Sequence, residues 1–171
     1  VKHDILRDDF FQSLIRRVAM GEFLCVMAAP PCSTFSVSRF FHSGDSKDGG
    51  PPPVRTRAQI MGIQNVPAGH KRELDDANEI VRRMCILLHV ARGAGTEFVI
   101  ENPADRGCRE RANLHLADEH GPLWLMPDIQ TLSRVCGCLS VTFAQCMFGA
   151  EAQKYTTFLY SPGMHAMLQS L

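Results

Sequence analysis

Two residues in this chain combine reactive chemistry with a place to use it. Cys32 closes Ala29-Pro30-Pro31-Cys32 directly after the apolar run 23–28, and Glu101 opens Glu101-Asn102-Pro103 directly after the apolar run 97–100. In an open α/β sheet, ligands bind outside the carboxyl ends of the strands, so groups that follow two neighbouring strands can face one crevice. A thiol that ionises beside a carboxylate suits covalent attack on an electrophilic ring carbon, with the acid near a ring nitrogen. Ser33 and Ser36 also follow the first run, but there is no Gly-x-Ser-x-Gly elbow and no histidine placed for a triad, so a serine hydrolase is disfavoured.

The elements that must position these groups are legible in the pattern. Phe11, Leu14, Ile15 and Val18 recur at helical spacing, with Gly21 as a stop. Residues 23–28 have the continuous apolar character of a strand buried on both faces of a parallel sheet. Leu74, Ala77, Val81, Met84, Leu88 and Ala91 alternate steps of three and four and predict a long helix ending near Gly93. Residues 97–100 then give a second buried strand, completing a strand-helix-strand unit with a right-handed crossover. A short helix is expected around 128–135 in an otherwise irregular connection, and 139–143 with 155–160 make a closing hairpin.

Residues 36–72 show no sustained period and carry Arg39, Lys47, Arg55, Arg57, Lys71 and Arg72 against Asp45 and Asp48. Structureless loops of that length are uncommon in compact domains, and one that follows a nucleophile is read here as a basic lid, with Arg39, Arg55 and Arg57 as candidate phosphate contacts.

The local sequences are more specific than their types. Ala29-Pro30-Pro31-Cys32-Ser33-Thr34-Phe35-Ser36 resembles the Pro-Cys-x-x-Phe-Ser nucleophile loop of cytosine-C5 DNA methyltransferases, and Phe98-Val99-Ile100-Glu101-Asn102-Pro103 resembles their Glu-Asn-Val motif. Lys2-His3-Asp4-Ile5 is similar to the segment whose Asp contacts the adenine of S-adenosylmethionine. Residues 148–157 resemble the Gln-x-Arg-x-Arg strand entrance, with Gln153, Tyr155 and Thr157 at the three marked positions and Lys154 between them.

The resemblance implies a Rossmann-like, doubly wound α/β methyltransferase core and a DNA (cytosine-5-)-methyltransferase activity. It makes Cys32 the nucleophile and Glu101 its carboxylate partner, and it places Asp4 and Pro30 at S-adenosylmethionine. Ser33, Ser36, Asn102, Gln153 and Lys154 would meet the nucleic acid. The family's glycine-rich Phe-x-Gly-x-Gly turn is absent from these 171 residues. The chain is therefore expected to be one partial catalytic domain, incomplete at its amino end, that continues a longer polypeptide and binds the cofactor weakly alone.

Composition sets the outer bounds. A hydrophobic fraction of 45% in 171 residues can build a sizeable core. Eighteen Lys plus Arg balance eighteen Asp plus Glu, so any binding of DNA, or of RNA as the alternative substrate, must be local. A binding module that has lost cofactor chemistry is the reading from a different class. Seven cysteines, no secretory leader and no run long enough to cross a bilayer point to reduced thiols in an intracellular protein. Cys136, Cys138 and Cys146 lack a fourth ligand at structural zinc spacing, and no metal is expected. His115 and His120 are read as ordinary surface or core histidines, and Trp124 as a core anchor.

Overall fold

The computed structural model describes residues 3–41, 50–151 and 153–171. Lys2, Asp45, Lys47 and Asp48, which entered the sequence reading, lie outside the described residues.

The chain is α/β. Helix α1 spans Asp8–Ala19, with Asp8 and Asp9 in its first turn and Arg16 and Arg17 in its last, charges that complement the helix dipole at each end. Strand β1, Cys25–Ala28, leads into a 3-10 turn at Ser33–Phe35 and a second at Val37–Phe40. Helix α2 spans Ala68–Gly93, so the expected loop ends earlier than 72 and Lys71 and Arg72 are helical. They pair with Asp75 and Asp76 one turn on. Strand β2, Glu97–Pro103, precedes a long connection containing helix α3, Pro127–Cys136; strands β3, Leu139–Ala144, and β4, Tyr155–Tyr160, follow, then the short α4, His165–Leu168.

The four strands form one mixed sheet in the order β1-β2-β4-β3. Strand β1 runs parallel to β2, as a strand-helix-strand unit requires, while β4 is antiparallel to both β2 and β3. The hairpin thus folds back so that its second strand, not its first, joins β2.

Two expectations are corrected here. Strand β1 is not buried on both faces: it is the sheet edge, its residues alternate between exposed and half-buried, and Leu24 and Met27 are 95% and 67% exposed. Only β2, with Phe98, Val99 and Ile100 buried in succession, has that fully buried character. The second correction concerns the layers. Helices α1, α2 and α3 all pack on the sheet face that carries Val26, Phe98, Ile100 and Leu159. The described residues therefore have one helical layer where a doubly wound sheet has two; against the opposite face stands the short α4, whose His165 stacks on Tyr160. Among the described residues no helix is long and apolar enough to cross a membrane.

Candidate active site

The register of β1 and β2 places the two reactive residues. Ala28 pairs with Ile100, so Glu101 is the first β2 residue beyond the last pair with β1, and Cys32 lies four residues beyond the end of β1 at the start of the Ser33–Phe35 turn. Between them runs a direct link: the Asn102 side chain, fully buried, donates from Nδ2 to the Pro30 carbonyl at 3.1 Å. The Cys32 loop and the strand end bearing Glu101 are thus held together one residue from Glu101 and two from Cys32.

Buried polar groups cost free energy unless hydrogen-bonded, so each one inside a fold points to a fixed partner. Four converge on the segment around Cys32. Besides Asn102 on Pro30, Arg39 Nε donates to the Ser33 carbonyl at 2.6 Å, Arg55 Nη2 donates to Thr34 Oγ1 at 2.9 Å, and His120 Nε2 meets the Phe35 carbonyl at 2.8 Å. All four side chains are at most 3% exposed. Cys32 itself is half-buried. Reactive groups need such supporting contacts to hold a productive geometry.

These contacts overturn three assignments. Arg39 is not a phosphate contact: its guanidinium is buried and shared among Ser33, the Pro52 carbonyl and a two-pronged ion pair with Glu73 at 2.7 and 2.8 Å. Burial alone would raise the Glu73 carboxyl, yet hydrogen bonds from Ser33, Arg39 and His70 hold it below the usual carboxylate range. Arg55 is 1% exposed, lies 4.0 Å over the Phe35 ring and donates to the Ile60 carbonyl, Asn78 and Thr34. Burial, reinforced by the charge of Arg39 and opposed by Glu73, brings its guanidinium down to about 10. Asn102 is equally sealed from any nucleic acid.

The described part of the 36–72 segment is therefore a packed buttress with Arg39 and Arg55 turned inward, while Lys71 and Arg72 stay exposed on α2. Arg57 is about one-third exposed and pairs with Asp105 at 2.9 Å. Of the remaining candidates, Ser33 and Gln153 are exposed and Ser36 is half-exposed, its hydroxyl receiving the Ser38 amide. Lys154 reaches across from the entrance of β4 to Glu101, with Nζ 3.4 Å from Oε1. The cation that follows Gln153 thus faces the carboxylate directly.

Asp4 and Pro30 come together on the other side of the β1 end, in a crevice of 640 Å³ walled by Val26, Ala28 and Leu88. One Asp4 oxygen receives the Leu6 amide at 2.9 Å. Apolar walls with a carboxylate at the rim suit a flat ring that offers a hydrogen-bonding edge, such as an adenine.

Beyond Glu101, the chain enters a second polar knot. Asp105 accepts from Arg57 and from the Gly107 amide at 2.9 Å. Burial would raise its carboxyl, but the Gly107 amide and the Arg57 guanidinium hold it below the usual carboxylate range. His120 Nδ1 stands 3.8 Å from Asp105 and already accepts the Arg106 amide at 3.0 Å, so it has no proton to offer the carboxylate. Trp124 is only half-buried and anchors through Nε1 to the Pro103 carbonyl at 2.8 Å.

Three of the other thiols are structural: Cys85 and Cys136 belong to the main core, with Cys138 packed against it, and burial pushes Cys85 and Cys138 up to about 12, the behaviour of inert thiols. Among the described residues no group of three or more His, Cys, Asp or Glu side chains is arranged to hold a metal ion.

No protein-family model, curated protein or solved structure matches this chain.

Proposed function

We propose that the chain is the catalytic part of a cytosine-C5 methyltransferase acting on DNA, with Cys32 as nucleophile and Glu101 as the acid that engages the base. The observation that carries this reading is the Asn102 to Pro30 hydrogen bond, which ties the Cys32 loop to the strand end bearing Glu101. The thiol and the carboxylate that the motifs name follow the paired ends, Ala28 and Ile100, of two parallel strands, which supports their acting together.

In this reading the Cys32 thiolate adds to C6 of a cytosine extruded from its stack, while Glu101 hydrogen-bonds the N3 edge. The S–C6 bond makes C5 nucleophilic. S-adenosylmethionine, whose adenine Asp4 and Pro30 would hold, would supply the methyl group when bound and leave as S-adenosylhomocysteine. The C5 proton is then lost to water, its bonding pair re-forms the C5–C6 double bond, and the S–C6 bond breaks with its pair returning to the Cys32 thiolate. Lys154 keeps Glu101 oriented before the base arrives and offsets its charge. Gln153 and Ser33, both exposed, remain as the contacts for the nucleic acid; the interior arginines do not.

The test uses a DNA duplex with 5-fluorocytosine at candidate target positions and S-adenosylmethionine present. Fluorine leaves no C5 proton to lose, so the enzyme stays bound through sulfur. A denaturation-stable adduct is expected on Cys32, absent in Cys32→Ser and much reduced in Glu101→Gln. An adduct that survives Cys32→Ser defeats the assignment of the nucleophile, and an adduct formed only on structured RNA moves the substrate from DNA to RNA.

A further inference from the structure

Of the four buried side chains around Cys32, His120 is the one whose two polar atoms serve the two sides of the site separately. A backbone amide can only donate and a carbonyl can only accept, so the Arg106 amide at Nδ1 and the Phe35 carbonyl at Nε2 together select the tautomer with its proton on Nε2. Phe35 ends the turn that Cys32 begins, and its own amide bonds back to the Cys32 carbonyl at 2.9 Å. Arg106 lies on the segment that leaves Glu101. The ring is 1% exposed and edge-on to Phe40 at 6.0 Å, and Gly107 lets the backbone approach the His120 carbonyl closely. A side chain at Gly107 would begin 3.0 Å from the His120 carbonyl.

We infer that His120 is a positioning residue for Cys32: the Nε2 hydrogen donated to the Phe35 carbonyl holds shut the turn that carries the thiol and fastens it to the segment following Glu101. The functional meaning rests on the proposed pairing of Cys32 with Glu101, but the readout is the thiol itself and requires neither cofactor nor nucleic acid. Cys85 and Cys136 serve as internal controls, because they are buried in the core and respond only to general loosening.

The experiment is alkylation of the native 171-residue chain with iodoacetamide, followed at each cysteine by peptide mass spectrometry, in wild type and in His120→Leu, His120→Asn and His120→Gln. Gln can place an amide donor near the Nε2 position and reach Phe35, whereas the Asn amide ends near Nδ1 and cannot. Cys32 should react on the order of fivefold faster in the Leu and Asn variants, the opening expected when one ordinary hydrogen bond is lost. It should stay near the wild-type rate in the Gln variant, with Cys85 and Cys136 protected throughout.

An unchanged Cys32 rate in the Leu variant overturns the inference, as does a Gln variant as fast as Leu. So does a parallel rise at Cys32, Cys85 and Cys136, which would mark a merely structural residue. If the Leu variant does not fold, the comparison of Asn with Gln decides the matter. A wild-type chain that forms no fluorocytosine adduct overturns the methyl-transfer reading alone, since the alkylation pattern is independent of it.

Discussion

Replacing Asp105 by Asn tests the polar knot that follows Glu101, and the structure sets both the size and the pH dependence of the effect. Asn keeps the shape and one acceptor for the Gly107 amide but removes the charge that faces Arg57. The carboxyl is held below its ordinary value of 3.8 by the Gly107 amide and Arg57. A charge-assisted pair with a carboxylate side chain 15% exposed contributes about 1–2 kcal/mol near neutral pH. Because the folded value lies below the unfolded one, this stabilisation is complete above the unfolded value and is lost as pH falls through the folded one.

Urea unfolding of wild type and Asp105→Asn should therefore show midpoints separated by about 0.5–1 M near neutral pH, for an m-value of about 2 kcal/mol per molar. The gap should be clearly smaller near pH 3. A gap of the same size at both pH values would mean that lost shape or hydrogen bonding, not charge, accounts for the effect. No gap near neutral pH would refute the role given to the Arg57 pair.

Two further substitutions probe the supports of the Cys32 turn. Arg55→Lys should destabilise by about 2–3 kcal/mol in urea unfolding, because a single ammonium cannot serve Thr34, Ile60 and Asn78 together or cover the Phe35 ring as a planar guanidinium does. Gly121→Ala should lower the melting temperature by about 3–8 °C, since the added carbon would lie 2.8 Å from the Thr56 backbone and such overpacking costs about 1–3 kcal/mol; an unchanged melting temperature would show that the backbone yields freely there.

What the sequence determined by itself is local in origin. Phe11, Leu14, Ile15 and Val18 specify α1, and the three-and-four spacing from Leu74 to Ala91 specifies α2, because helical periodicity is written within one or two turns. The strand-helix-strand order and the hairpin segments were likewise legible. So was the position of Cys32 and Glu101 after two apolar runs, whose last paired residues, Ala28 and Ile100, stand opposite each other in parallel strands.

The tertiary structure alone decided where the polar side chains point. Arg39, Arg55 and Arg57 read identically whether a loop is solvated or folded inward, and their partners Glu73, Thr34 and Asp105 lie 34, 21 and 48 residues away. His120 looked ordinary because nothing near it in sequence reveals that its ring reaches Phe35, 85 residues away. Strand β1 looked fully buried because an apolar run records composition, whereas exposure depends on whether a neighbour occupies each edge and face. Periodicity tells which side of an element is apolar; which acceptor meets a buried donor is settled only when distant segments close around it.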